Sequence, residues 1–152
     1  MSGQLDPIEL MKTINELEYK INALATITKG WSFIPLTTAL TSTSWDGDSF
    51  STTAKTLIDL SAVFGVPAGI KAVYMSLSVK DSASQTSDTW ILLDATDAAG
   101  VGIFLSPQYV NDRNGRAAVI VPCNANGDIY YQITASGAST FDVIIRIWGY
   151  WI

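Results

Sequence analysis

"FDVIIRIWGYWI", residues 141–152, decides the fold. Successive side chains of an extended strand point to opposite faces. Phe141, Val143, Ile145 and Ile147 therefore share one face, enough to line the interior of a sandwich. The other face carries Asp142, Ile144, Arg146, Trp148, Tyr150 and Ile152, and four of these six are large and apolar. Trp148 and Tyr150 each bring roughly 150–250 Å² of buriable surface. With the two isoleucines they exceed the apolar patch of a few hundred Å² usual on a monomer. The expectation is that a second copy of the chain covers Ile144, Trp148, Tyr150 and Ile152. Cover by other segments of the same chain is the alternative. Asp142 and Arg146 would stand about 13 Å apart, too far to pair with each other. Each is expected to pair with a neighbouring subunit.

Working outward, residues 72–79 read as an ordinary one-sided strand. Val73, Met75, Leu77 and Val79 face in, and Ala72, Tyr74, Ser76 and Ser78 face out. Strand-like runs recur at 31–36, 56–64, 70–80, 88–94, 101–106, 116–122, 128–135 and 140–151. Turn residues punctuate them: "VPAG" at 66–69, "NDRNGR" at 111–116, "NANGD" at 124–128 and "ASGAS" at 135–139. Asn-Gly within two of these is a hairpin signal, although both loops exceed two residues. No helical period shows in this part. The expected fold is mainly β, an antiparallel jelly-roll-like sandwich over residues 31–152.

Residues 1–30 read differently, as a helix over about 7–28. Asp6 is placed to cap, Pro7 suits the first helical position, and Glu9 completes a capping box. Lys29-Gly30 is a stop signal. Leu10, Ile14, Leu17, Ile21 and Leu24 alternate at spacings of four and three, a coiled-coil seam with isoleucine at a and leucine at d. That choice leans toward two strands, whereas Met11, Ala25 and Ile27 widen the stripe toward three. An amphipathic helix lying on its own domain is the alternative. About 2.5 heptads are marginal alone in water, so the following domain must help hold them.

Composition narrows the function. The chain has 152 residues, 48% hydrophobic and only 15% charged, with net charge −5. That length suits one ordinary domain with its own core. No lysine/arginine cluster is present to neutralise phosphates, which argues against nucleic acid and anionic membranes. No stretch reaches the ~18 apolar residues of a membrane span, and no signal peptide is evident, so synthesis in the cytosol is expected. The single cysteine, Cys123, excludes an intrachain disulfide and reads as a small buried hydrophobe.

Nothing marks catalysis. The chain has no histidine, hence no serine–histidine or cysteine–histidine pair and no common zinc ligand. Asp46 and Asp48 in "WDGDSF" are the nearest thing to a glycosidase carboxylate pair, and a turn explains them more simply. Asp46, Asp48, Asn111, Asp112 and Asn114 do not compose a complete calcium loop. Gly100-Val101-Gly102 lacks the rest of a dinucleotide fingerprint. The expectation is therefore no enzyme, no cofactor and no metal. A sugar-binding surface fits better: Trp45 beside Asp46 and Asp48, with Asn111, Asp112, Arg113 and Asn114 in one loop and Asn124, Asn126 and Asp128 in another. Asparagine, aspartate and arginine hydrogen-bond sugar hydroxyls while a tryptophan stacks on a pyranose. Ordinary turn duty is the competing reading of each residue.

The helix "LMKTINELEYKINALATI", the segment "VPAGIKAVYMSLSVKDS" and the ending "DVIIRIWGYWI" together give the chain its likeness. It resembles the distal end of a bacteriophage tail fibre or virion spike. The resemblance implies a homotrimeric, non-enzymatic virion protein, made in the host cytoplasm, that contacts other virion proteins and a host cell-surface glycan or protein. It carries over no functional residue. A head fibre or capsid decoration protein fits the short length equally. A free, soluble, trimeric lectin-like module is the other expectation.

Overall fold

The computed structural model describes residues 6–27, 30–42, 45, 54–83, 89–98, 102–108 and 110–152. The chain divides into two compact units, Met1–Trp31 and Ser32–Ile152. The first holds helix α1, Pro7–Ile27. Asp6 caps it: its Oδ1 accepts the Ile8 N–H at 3.0 Å, and its carbonyl accepts the Leu10 N–H. Leu10, Ile14, Leu17 and Ile21 of the seam are 45–61% exposed. The Leu24 side chain lies outside the described residues.

The second unit is two four-stranded sheets, antiparallel throughout. Its strands are β1 (Phe33–Leu40), β2 (Thr56–Ile58), β3 (Ala72–Asp81), β4 (Trp90–Asp94), β5 (Ile103–Leu105), β6 (Gly115–Pro122), β7 (Ile129–Thr134) and β8 (Phe141–Trp151). One sheet has the order β1-β8-β3-β6, the other β2-β7-β4-β5. Among the described strands, every connection except β4 to β5 crosses between sheets. The Asn-Gly loops before and after β6 are thus corners and not hairpins. Asn-Gly supplies tolerant backbone to any tight reversal, and here the strands it joins pair elsewhere.

The core lies between the sheets. Val73, Met75, Leu77 and Val79 of β3 and Phe141, Val143, Ile145 and Ile147 of β8 are essentially inaccessible, as the alternation predicts. They meet Ile91 and Leu93 of β4 and Ile129, Tyr131 and Ile133 of β7. These large side chains interdigitate across the ~10 Å that separates packed sheets.

Two local readings are corrected. The run 56–64 is not one strand: only Thr56–Ile58 is extended, and Leu60–Phe64 is a short helix, α2. Asp59 accepts the Ala62 N–H, and Gly65 closes the helix at φ 75°. Leu60 and Phe64, four residues apart, are its buried positions. The turn after it falls on Ala68–Gly69, one residue later than the reading of Gly69 as a fourth position, with Gly69 at φ 75°.

The terminal strand holds the main correction. Consecutive Tyr74 and Met75 of β3 face Gly149 and Ile147 of β8, so Trp148 is an extra residue, a β-bulge. Before the bulge Ile144 and Arg146 point outward, as expected. After it the alternation inverts. Tyr150 falls opposite Val73 and packs against the core, so it leaves the outward face. Trp151 instead meets the Phe33 ring at 4.5 Å, and Phe33 meets Tyr74 edge-on at 6.5 Å. Ile144, Trp148 and Ile152 remain exposed. Asp142 needs no neighbouring subunit: its carboxylate accepts from Lys80 Nζ at 2.9 Å.

Candidate functional site

Strand β6 fixes where the two asparagine-rich loops can lie. One precedes it and the other follows it. Eight residues of strand, some 27 Å, put them at opposite ends of the sandwich. They do not form one site.

The loop after β6 is occupied with its own folding. Asn124 Oδ1 accepts the N–H groups of Asn126 (2.9 Å) and Asp128 (3.0 Å). Asp128, 8% exposed, accepts the Leu60 N–H at 3.2 Å. Gly127 adopts φ 93°, and a Cβ there would lie 2.6 Å from the Gly69 nitrogen. Beside it Cys123 is half-buried. Desolvation, then the nearby Asp128 charge, push its thiol up to about 12.

Trp45 also has a packing role. Its ring rests against the core and meets Tyr131 edge-on at 5.4 Å. Its N–H backbone group donates to Ser42 Oγ. Asp46 and Asp48 lie outside the described residues. Among the described residues no group of three or more His, Cys, Asp or Glu could hold a metal ion. No described helix is long and apolar enough to cross a membrane.

The loop before β6 is different. The Asp112 N–H donates to the Asp81 carbonyl at 3.1 Å, and Asp112 takes φ 60°. Asp81 itself is buried and accepts from the N–H and hydroxyl of Ser136, pinning this end of β3 to the turn before β8. Asp112, Arg113 and Asn114 then line a polar cleft with Gln108 and Arg116. Asn111 stands exposed at the tip.

Asn114 and Arg116 are shared with a second groove of about 560 Å³ across the outer face of the β1-β8-β3-β6 sheet. Ser76 and Ser78 of β3 form its floor, with Ala118 beside them, and Ile144 and Arg146 of β8 rise along one side. The register explains the set. Ser78 is opposite both Arg116 and Ile144, and Ser76 is opposite both Ala118 and Arg146. The Trp148 indole N–H donates to Ser76 Oγ at 3.2 Å, laying the ring on the same face. Each of these polar residues is an outward position of its strand, and that much is visible in the alternation. Which outward positions become neighbours depends on strand order, which the sequence does not state.

A second polar cluster is structural. Lys55 Nζ, nearly inaccessible, bonds the Asp94 carboxylate at 2.5 Å and the carbonyls of Thr96 and Ala98. Burial pushes the Asp94 carboxyl up. The Lys55 hydrogen bond and charge and the Ala95 and Thr96 N–H groups outweigh it, leaving the group below the ordinary carboxylate value. No family model matches this chain, and no curated protein is significantly similar to it.

Proposed function

We propose that the chain is a non-enzymatic, homotrimeric virion surface protein whose β-domain attaches the particle to a host surface. The observation that carries the proposal is the seam of α1. Leu10, Ile14, Leu17 and Ile21 are 45–61% exposed along one helix. Exposed apolar side chains in heptad register are what a bundle of sister helices would cover. Exposed Met11, at 65%, widens the stripe in favour of three copies over two. The resemblance to fibre tips supplies the virion setting.

We read the sandwich as a jelly roll. Its pairings β1–β8, β2–β7, β3–β6 and β4–β5 nest inside one another, the pattern of one long hairpin rolled up. Sister sandwiches would meet near the Trp148–Ile152 end of β8, where Phe33, Trp148 and Ile152 are exposed. Ile144 lies further along the strand, beside the serine-floored groove, and stays open to ligand.

Replacing Ile14 and Ile21 together by Glu tests this function. The variant should become monomeric. Its binding to host cells should fall by about 10²-fold, because three linked sites gain avidity that one lacks. Equal binding by monomer and trimer would exclude attachment by avidity.

A further inference from the structure

The chain contains three arginines, Arg113, Arg116 and Arg146, and all three line the two adjoining grooves just described. Chance placement on a chain of net charge −5 would scatter them. Here β6 and the loop before it bring two, and β8 brings the third from the other side of β3. Arg116 and Arg146 flank β3 with two strand spacings and two residues between them, about 12 Å from Cα to Cα. Their long side chains can converge on one group held over Ser76 and Ser78. Among the described residues none of the three guanidiniums is in an ion pair. The carboxylates nearby are turned to a lysine: Lys80 holds Asp142 at 2.9 Å and Asp112 at 3.6 Å. The guanidinium forks therefore remain available for an external anion.

The rest of the lining narrows the class. The floor is made of small hydroxyl side chains, and Asn114 is within 3.5 Å of the Ser78 hydroxyl. Ile144 adds one apolar wall, and the volume of about 560 Å³ lies in the range of small-molecule clefts. Hydroxyl and amide partners suit a ligand with many hydroxyls. Planar guanidiniums suit bidentate binding of carboxylates. We infer that this groove binds an acidic saccharide, a glycan whose sugar units carry carboxylates. The assignment rests on the attachment reading for a host-surface ligand, on the hydroxyl and amide lining for its being a saccharide, and on the arginines for its charge.

The test is calorimetric titration of the full-length chain with oligogalacturonate, a defined acidic probe, and with neutral dextran oligomers of equal length. The exposed pair is then changed as Arg116→Gln with Arg146→Gln, with circular dichroism and light scattering confirming an intact fold and assembly. Wild type should bind the acidic oligomer, and the double variant should bind it at least about tenfold more weakly, the loss of a charge-assisted bond or more. Dextran should bind to neither. Equal binding of dextran, unaffected by the arginine changes, would overturn this assignment and leave attachment standing. Inorganic sulfate at matched ionic strength displacing the probe as well as free oligogalacturonate does would reduce the groove to a general anion site and overturn it too. No binding of either oligomer by an intact assembly would overturn the acidic-saccharide assignment and leave attachment to a host surface through another ligand standing.

Discussion

At Gly149 a methyl group has nowhere to go. The Phe33 ring lies directly over this residue, and a Cβ built there would meet ring carbons and the Ile34 carbonyl oxygen, the latter at 2.9 Å. Gly149→Ala should therefore destabilise the fold by about 1–3 kcal/mol in urea unfolding. Adding Phe33→Ala should cost less in that background than in wild type, because the clash is already relieved. Strict additivity would show that the ring and the glycine are not coupled. Lys55 is the second sensitive residue. Lys55→Met leaves Asp94 and two carbonyls without their partner and should cost about 2–4 kcal/mol. The pH response has a defined sign. Asp94 is held below its ordinary value in the folded state, so its contribution is present at neutral pH and is lost as pH falls below about 4 through the folded value. Lys55→Met should flatten the part of the acid stability loss that Asp94 contributes. Cys123, with its thiol raised to about 12, should react with a disulfide reagent at pH 8 far more slowly in native than in urea-unfolded protein.

At the scale of elements, alternation located most strands because each has a single buried face. β3, and β8 as far as Ile147, are legible residue by residue for that reason. Alternation has no way to register an inserted residue. The bulge at Trp148 adds one position opposite Tyr74–Met75, and Tyr150 and Trp151 change face, which is why Tyr150 packs against the core. Helix α2 has no legible period because five residues are too few to display one. Its legible signals were the cap residues, Asp59 before it and Gly65 after it. Asp59→Ala should lower the urea midpoint in the same unfolding measurement. A loss near zero would mean that burial of Leu60 and Phe64 alone holds α2. The candidate site was legible only in part. Asp112, Arg113 and Asn114 are legible as a polar loop, but Arg116, Arg146, Ser76 and Ser78 come from three strands whose adjacency follows from sheet order. Trp45 reads in the sequence as an aromatic beside acids, and its packing on Tyr131 is a tertiary contact that no local pattern encodes.

For the whole molecule, the two described sheets enclose a core, while the heptad face of α1 and the outer apolar residues Phe33, Ile144, Trp148 and Ile152 are exposed. A monomer in water would carry that surface at a cost in solubility. In the proposed trimer, sister copies would cover the heptad face of α1 together with Phe33, Trp148 and Ile152 and leave Ile144 open beside the groove, and the amphipathic helix is the element best formed to drive that step. The mass of the full-length chain in solution tests this most directly. Light scattering at micromolar concentration should report about 49 kDa, three times the 16.4 kDa of one chain. A stable 16.4 kDa species under the same conditions would contradict it.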